Sequence, residues 1–387
     1  MTRLTALALT LFLGMALLAL PSEGATAQER RLTSPEAEYP EPFDLISGFR
    51  VLPDGRVMVS DGIGEVLVVV DIAAGVADTL GRKGKGPGEY TMPDRLFALP
   101  DGRTLLLDLG NGRMTTIEAD GSFGKSRSIA QDDGAGFSII MPRASDGAGN
   151  LYYLPMGGGF GRERPDSGAI VRWSSDGQAS DTVAKVKLQE VKIETSGSAS
   201  NRNVSMRRVP YSPQGAWAVA ADGRIALARS GGEYRLDWMS PDGRLVRGTP
   251  VGYRPVKIGK AEKEEFVESR SNGLAIMVDM NNGRRSVNFG RGGNMGPPPS
   301  IDEYDWPDTK PPFPASAVTV APDGNAWVQR STKAGEPQRF DVFDASGNRT
   351  GEVALPEHRR LLGFGDGVVY LAYVDEDDLQ WLERYEL

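Results

Sequence analysis

One unit recurs along the chain: a short apolar strand, a turn that contains glycine, and a second apolar strand. A looser copy turns near Gly149, and five further copies carry an Asp-Gly pair, beginning at Asp54, Asp101, Asp222, Asp323 and Asp366. Asp-Gly between alternating apolar runs is a strong hairpin signal, because both central residues can take a positive φ. The repeat therefore predicts an all-β chain built from hairpins.

Most copies are followed by a second turn, so each unit predicts two hairpins, or four antiparallel strands. Asp54 and Asp101 are 47 residues apart and Asp323 and Asp366 are 43 apart, which matches the ~40–50 residues of a propeller blade. We expect a six-bladed β-propeller over residues 28–387, with insertions at about 186–212 and 251–314. The last unit has room for only three strands. An N-terminal strand near residues 30–34 is therefore expected to pair with residues 378–386 and close the ring.

Residues 81–123 hold a denser pattern, which reads Gly84-x-Gly86-Pro87-Gly88-Glu89-Tyr90, then Asp101-Gly102, then Asp108-x-x-Asn111-x-Arg113. This segment resembles an NHL repeat, and the C-terminal third resembles the exported six-bladed propellers of bacteria. The resemblance implies the fold. It implies no single activity, because six-bladed propellers serve as binding modules and as several kinds of enzyme.

The first 27 residues have the three parts of a secretory signal peptide. Arg3 precedes an apolar run of 17 residues that ends at Leu20, and Ala25-Thr26-Ala27 supplies small residues before a cleavage point. We expect export to the periplasm or beyond, with a mature chain from near Gln28. The alternative is a membrane anchor, for which a run of this length is marginal.

Composition removes several function classes. The chain has no cysteine and one histidine, His358, which excludes thiolate sites and zinc or copper sites with several histidines. A net charge of -8 argues against a nucleic-acid partner, which needs a basic face. No further apolar stretch is long enough to cross a bilayer. We expect a monomer with no membrane span after signal cleavage.

The repeat also assigns loops to faces. In a blade of four antiparallel strands, the first and third turns share one end of the ring, here the bottom face. The middle loops and the crossings between blades share the other end, the top face. The Asp-Gly turns therefore lie on the bottom face and both insertions on the top face, where binding residues are common. Tyr304, Trp306 and Phe313 of the second insertion suggest either a lid or an insertion packed on the side of the ring.

Seven residues after its turn aspartate, the second strand of a unit reaches the top face. This spacing puts Asp61, Asp108, Arg229 and Arg330 at equivalent heights, with the two aspartates opposite the two arginines in a ring of six. We expect a polarised pocket for a zwitterion or for a charged sugar or peptide. Two residues of the first insertion add positive charge to this pocket, Arg207 and Arg208. The alternative is structural, with Asp108 and Asn111 capping their own turn and the arginines paired with neighbours.

Two functions follow from these patterns. The first is a binding module for a peptide, protein or glycan on the top face, without a cofactor. It is favoured because the sequence carries no recognisable catalytic motif. The alternative is a calcium-dependent lactonase-type hydrolase, with Asp61, Asp108 and Asn111 as oxygen ligands. Arginines at the equivalent positions of units 4 and 5 would repel that cation.

Overall fold

The computed structural model describes residues 28–132, 137–155, 165–177, 179–198, 201–271, 274–281, 284–291 and 300–387. The expected signal peptide, residues 1–27, lies outside these ranges. Apart from one α-helix and short 3₁₀ turns, the regular structure of the described residues is β-strand. None of their helices is long and apolar enough to cross a bilayer.

The strands of the N-terminal third are β1 (Gln28–Arg31), β2 (Ala37–Glu38), β3 (Ile46–Val51), β4 (Val57–Asp61), β5 (Val66–Asp71), β6 (Val76–Thr79), β7 (Arg82–Lys83), β8 (Glu89–Tyr90), β9 (Pro93–Ala98), β10 (Thr104–Asp108), β11 (Arg113–Ile117) and β12 (Phe123–Ser128). The middle third contains β13 (Ala130–Asp132), β14 (Phe137–Ile139), β15 (Ala144–Ser145), β16 (Leu151–Tyr153), β17 (Ser167–Trp173), β18 (Ser180–Lys187), β19 (Val191–Ser198), β20 (Asn201–Arg208), β21 (Ala216–Val219), β22 (Ile225–Arg229), β23 (Arg235–Met239) and β24 (Leu245–Val246). The remainder contains α1 (Lys260–Ser271), β25 (Leu274–Asn281), β26 (Arg284–Arg291), β27 (Val318–Val320), β28 (Ala326–Gln329), β29 (Arg339–Phe343), β30 (Arg349–Ala354), β31 (Arg359–Phe364), β32 (Val368–Val374) and β33 (Gln380–Glu386).

Six sheets each contain four antiparallel strands in meander order. Blades 1 to 6 are β3-β4-β5-β6, β9-β10-β11-β12, β15-β16-β17-β18, β21-β22-β23-β24, β27-β28-β29-β30 and β31-β32-β33-β2. The first strands of neighbouring blades contact one another, as β3 does with β9 and with β31. First strands therefore surround the central axis and fourth strands lie outermost. The fold is the six-bladed β-propeller that the repeat predicts.

The apolar core lies between the blades. Buried apolar side chains of the described residues form six clusters, and each cluster joins two neighbouring blades. Val57 and Val59 pack toward blade 6, while Met58 packs toward blade 2. Successive residues of a strand point to opposite faces, and here both faces are covered. For this reason all five residues of β4 are buried.

An N-terminal strand closes the ring, but it is not the one near residues 30–34. Instead, β2 pairs with β33, and backbone hydrogen bonds extend this pairing to Tyr39 and Phe43. The earlier strand β1 adds in parallel to β30, the outer strand of blade 5. The expected position was wrong because the closing segment needs apolar anchors. Tyr39 and Phe43 are buried in the cluster between blades 6 and 1, whereas residues 30 and 31 are arginines.

The hairpin turns differ from the expected type. At the first turn the Gly55 N–H donates to the Leu52 carbonyl at 3.0 Å, and Gly55 has a φ of 88° while Asp54 has none that is positive. The same bond recurs at Gly121, Gly149, Gly177, Gly223, Gly243, Gly324 and Gly347. This is a type I turn followed by a left-handed glycine. The expectation of two positive φ values was wrong for these turns, because the aspartate occupies the right-handed part of a longer loop. The expectation of two positive φ values is confirmed at the corresponding turn of blade 2, where Asp101 and Gly102 have φ of 61° and 74°.

Candidate functional site

The Asp61 carboxylate joins a crossing to a turn at the top of blade 1. It accepts backbone N–H groups from Asp44 and Leu45 before β3 and from Ile63 and Gly64 after β4, at 2.7–3.1 Å. A carboxylate offers about four lone-pair sites; here three donors bond Oδ1 and one bonds Oδ2. The side chain is also buried, at 2% exposure. In the described structure, Asp61 therefore stabilises the fold by tying the crossing before β3 to the turn after β4.

Asp108 has the same role in blade 2. It accepts the backbone N–H groups of Thr91, Met92 and Asn111 at 3.2–3.3 Å and the side-chain amide of Asn111 at 2.7 Å. Three of these donors again bond Oδ1, and the Asn111 side chain bonds Oδ2. This is the turn-capping arrangement that the sequence offered as the structural alternative.

The remaining residues of the NHL-like pattern hold the glycine-rich loop in place. The Asn111 amide donates to the Gly84 carbonyl at 2.9 Å. The Arg113 guanidinium donates to the carbonyls of Gly86 and Glu89 at 3.0 and 2.6 Å. The pattern therefore stabilises the crossing from blade 1 to blade 2.

Arg229 and Arg330 also have internal partners. The Arg229 guanidinium donates to Asp237 at 3.2 Å and to the carbonyl of Lys185 at 3.0 Å. Lys185 lies on β18, the outermost strand of blade 3, so this guanidinium is directed between blades and not toward the axis. Arg330 donates to Glu352, on the outer strand of its own blade, at 2.8 Å. A ligand-binding role for these residues stays a prediction.

The other two predicted residues lie on the crossing from blade 3 to blade 4, residues 188–215, here called the first crossing. Arg207 and Arg208 are both on β20, and Arg208 is exposed. The side chain of Arg207 lies outside the described part of the chain. Neither residue is brought to Asp61 or Asp108 by a described contact.

The first crossing packs against the crossing from blade 4 to blade 5, residues 247–317, here called the second crossing. Tyr211 of the first crossing contacts Phe266 and Trp306 of the second, and Tyr304 packs on these two rings; we call the four residues the aromatic knot. Ring centroids in the knot are 5.4–6.2 Å apart. The aromatic residues of the insertion therefore pack between two crossings. Phe313 instead lies in the core between blades 4 and 5.

Together the two crossings form a cap that is seated on blade 5. Glu262 of α1 accepts the Ala334 N–H at 3.2 Å, and Lys310 donates to the Thr332 carbonyl at 3.0 Å. The Tyr211 hydroxyl donates to the Glu262 carbonyl at 2.7 Å. Backbone N–H donors from Gly259 and then Ala334 hold the pKa of the Glu262 carboxyl below its ordinary value. Polar bonds thus hold the cap to the loop that follows β28.

At the top end of the axis, two arginines of neighbouring blades lie together. Arg95 on β9 donates to the Pro142 carbonyl at 3.1 Å. Arg143, directly before β15, donates to the Ser316 hydroxyl at 3.3 Å. Ser316 lies at the end of the second crossing, two residues before β27, so this bond links blade 3 to the start of blade 5. Burial, and then the positive charge of Arg95, lower the pKa of Arg143.

Arg360, near the start of β31, is a third arginine at the same height. It donates to the Ile46 carbonyl at 2.7 Å and to the Gln380 side chain. Burial lowers its pKa to about 10. Among the described residues, none of these three guanidiniums is hydrogen-bonded to a carboxylate, and the salt bridge from Arg95 to Asp94 is 3.8 Å long.

The sequence reasoning missed this arginine group, although a signal was present. Met92-Pro93-Asp94-Arg95 and Met141-Pro142-Arg143 place a Met-Pro pair just before an arginine at the start of a first strand. The repeat was aligned on the turns at the other end of the blade. That alignment does not predict which residues of the first strands lie at equivalent heights on the top face.

No protein-family model and no curated protein matches the chain. Solved structures with a similar fold include a streptogramin B lyase, with a TM-score of 0.41 and 11% identity over 90% of this chain and 86% of the lyase. They also include regucalcin, a calcium-binding protein from Agrobacterium tumefaciens, with a TM-score of 0.43 and 13% identity over 93% and 97% of the two chains. A gluconolactonase from Xanthomonas campestris has a TM-score of 0.42 and 12% identity over 92% of this chain and 94% of its own. Likeness at this level says nothing about the activity of the present chain.

The predicted calcium ligands do not fit a cation. The lone pairs of Asp61 and Asp108 already face N–H donors, and the Asn111 amide turns its nitrogen toward Asp108. Arg113 adds a positive charge 3.7 Å from Asp108. Within the described ranges, no group of three or more acidic or histidine side chains is arranged to hold a metal.

Proposed function

We propose that this protein is a binding module that holds a peptide on its top face. The observation that carries the proposal is the cap, in which two long crossings are joined by the aromatic knot and seated on a rigid ring. The bottom face has only short turns. Loops that rise from a rigid scaffold bind ligands without a large entropic cost of ordering.

A peptide is favoured over a glycan or a protein partner. Sugar rings are commonly held by exposed aromatic faces, but the four residues of the aromatic knot pack on one another. Large apolar side chains that the structure describes as exposed are few and scattered: Ile63, Val76, Leu245 and Tyr253. A stable protein interface would bury about 800 Å² on each partner around apolar anchors. A peptide can use the unpaired inner edges of the first strands, which offer backbone donors and acceptors.

Selection from a random heptapeptide library on the immobilised protein tests the proposal. Hydrogen exchange of a selected peptide complex is expected to protect residues 188–215, 247–317 or the top ends of the first strands. Failure to select any peptide, or protection of the Asp-Gly turns instead, would refute the binding module.

The lactonase alternative has a separate assay. Hydrolysis of an aldonolactone is measured with calcium and again with a chelator. The calcium concentration is about 1 mM, enough to fill the weaker kinds of protein calcium site. Calcium-dependent hydrolysis would replace the binding module with an enzyme. The N–H donors that already bond Asp61 and Asp108 lead us to expect none.

A further inference from the structure

Charge neutralisation differs from one arginine of the propeller to another. On the outer strands, arginines meet carboxylates: Arg172 bonds Asp181 at 2.9 Å and Arg349 bonds Glu352 at 2.9 Å. At the top of the first strands, the guanidiniums of Arg95 and Arg143 instead meet a backbone carbonyl and a hydroxyl. A chain with a net charge of -8 has carboxylates in excess. Arg359, at the start of β31, does pair with Glu383 at 2.8 Å, and Arg95 has the Asp94 carboxylate at 3.8 Å. Among the described residues, Arg95 and Arg143 therefore lack a carboxylate within hydrogen-bonding distance, although Arg95 keeps a more distant one.

Keeping two guanidiniums close together with only one distant carboxylate beside them costs free energy, because like charges repel. Arg95 and Arg143 are near enough for the first to depress the pKa of the second. Clustered guanidiniums without a close carboxylate are typical of sites where a ligand supplies the opposite charge. The arrangement thus favours an anion at the mouth of the central channel.

Two neighbouring groups add hydrogen-bond donors. The Ser316 hydroxyl lies 3.3 Å from the Arg143 guanidinium and is itself able to donate. The Trp217 ring centroid lies 5.5 Å from that guanidinium, and its indole N–H is buried with no acceptor among the described residues. A buried donor without an acceptor is destabilising, and an accepting ligand oxygen nearby would remove that cost.

The geometry points to a carboxylate subsite at the channel mouth, in which Arg95, Arg143 and Ser316 bind an acidic side chain or the C-terminal carboxylate of a peptide. This inference rests on the proposed peptide-binding function and names the chemical class of its ligand. The planar fork of each guanidinium matches the two oxygens of a carboxylate. Arg360, on blade 6 at the same height, adds positive potential from another side of the axis.

Titration calorimetry with triglutamate, triglutamine and inorganic phosphate as probes tests the subsite. Triglutamate is expected to bind the wild-type protein at least tenfold more tightly than triglutamine. Arg143→Gln is expected to weaken triglutamate binding about tenfold to a hundredfold, since it removes hydrogen bonds between charged groups. Arg95→Gln is the second variant, with the same expectation. Arg172→Gln is the matched control, because it removes an arginine of blade 3 that is already paired, and it should leave the affinity unchanged.

A stability measurement separates a ligand-binding role from a scaffold role. Arg143→Gln should leave the urea midpoint of the ligand-free protein unchanged or raise it, since it removes an unneutralised cation. Triglutamate should raise the midpoint of the wild type and not of this variant.

Several results would overturn the subsite. They are equal binding of triglutamine, unchanged triglutamate binding in both arginine variants, or phosphate binding that is tighter than triglutamate and depends on Arg143. If library peptides bind the top face while either arginine variant binds them normally, the binding module stands and the subsite falls. If triglutamate binding depends on Arg143 but no library peptide is selected, the subsite stands as an anion site and the peptide module falls.

Discussion

The Asp61→Asn variant gives the sharpest test of how the top face is held together. Asn at this position keeps the shape of the side chain but replaces one oxygen with an NH₂ group. If the retained oxygen stays with Leu45, Ile63 and Gly64, the NH₂ group faces the Asp44 N–H, which now bonds Oδ2 at 2.7 Å. The charge-assisted hydrogen bond from Asp44 is thus replaced by two N–H donors that face each other. The hydrogen bonds from Leu45, Ile63 and Gly64 remain, but their acceptor oxygen is no longer charged.

A hydrogen bond to a charged group contributes about 1.5–3 kcal/mol, compared with about 1 kcal/mol for a neutral one. The loss of one such bond and the weakening of three should lower the free energy of unfolding by roughly 3–4 kcal/mol. The side chain is 2% exposed, so water cannot replace the lost acceptor. Urea unfolding followed by tryptophan fluorescence measures the change, with the slope checked for constancy.

Asp54→Asn is the matched control for this measurement. Asp54 is a turn aspartate whose carboxylate is half exposed, at 51%, and pairs with Arg56. Its replacement should cost about 0–1 kcal/mol, as exposed ion pairs do. If the two variants lose stability equally, the hydrogen bonds of Asp61 contribute no more than an exposed turn, and the description of Asp61 as a structural tie is refuted.

Four further perturbations test other parts of the structure. Asp101→Ala should lower the free energy of unfolding by about 1 kcal/mol, seen as a lower urea midpoint, and leave the peptide affinity unchanged. The reason is that the aspartate occupies a left-handed turn position. Lost affinity at unchanged stability would move function to the bottom face. Because the pKa of the Glu262 carboxyl is lowered in the folded protein, its ionised form stabilises the cap at pH values above 4.5, the ordinary pKa of glutamate. This contribution is lost as the pH falls through the lowered pKa. Protease cleavage within the second crossing should therefore rise in acid, and Glu262→Gln should remove that pH dependence. Phe266→Ala should expose the second crossing to protease while the ring stays folded, and loss of the whole fold would show that the cap is not a separate unit. Deletion of residues 28–43 should abolish soluble folding, because it leaves the edge of β33 unpaired; a soluble product with the wild-type urea midpoint would contradict the closure by β2.

The number and order of the blades could be predicted from the sequence because their signals are local. A positive φ at Gly55 or Gly324 depends on neighbouring residues, and alternation with a period of two needs only one strand. Closure by an N-terminal strand followed from the missing fourth strand of blade 6. Its position was misjudged because the choice between residues 30–34 and 37–43 depends on whether Tyr39 and Phe43 find an apolar cluster between blades 6 and 1.

The partners of the top-face side chains could not be predicted, because each depends on residues far apart in the chain. The register places Asp61 and Arg229 at the ends of second strands, yet it cannot say that Asp61 meets the crossing before it or that Arg229 meets the outer strand of blade 3. Arg143 reaches Ser316 across 173 residues, and Arg360 reaches Ile46 across 314.

The sequence by itself thus determined the repeating hairpins, the six blades and the face on which the insertions lie, since turn chemistry and strand alternation act within a few residues. Only the tertiary structure decided how closely each charge is neutralised, because folding sets the distance between a guanidinium and the carboxylates around it. On the outer strands, Arg172 and Arg349 bond carboxylates at 2.9 Å. At the inner ends of β9 and β15, where neighbouring blades converge on the axis, the hydrogen-bond partners of the arginines are a carbonyl and a hydroxyl, and the Asp94 carboxylate lies 3.8 Å from Arg95.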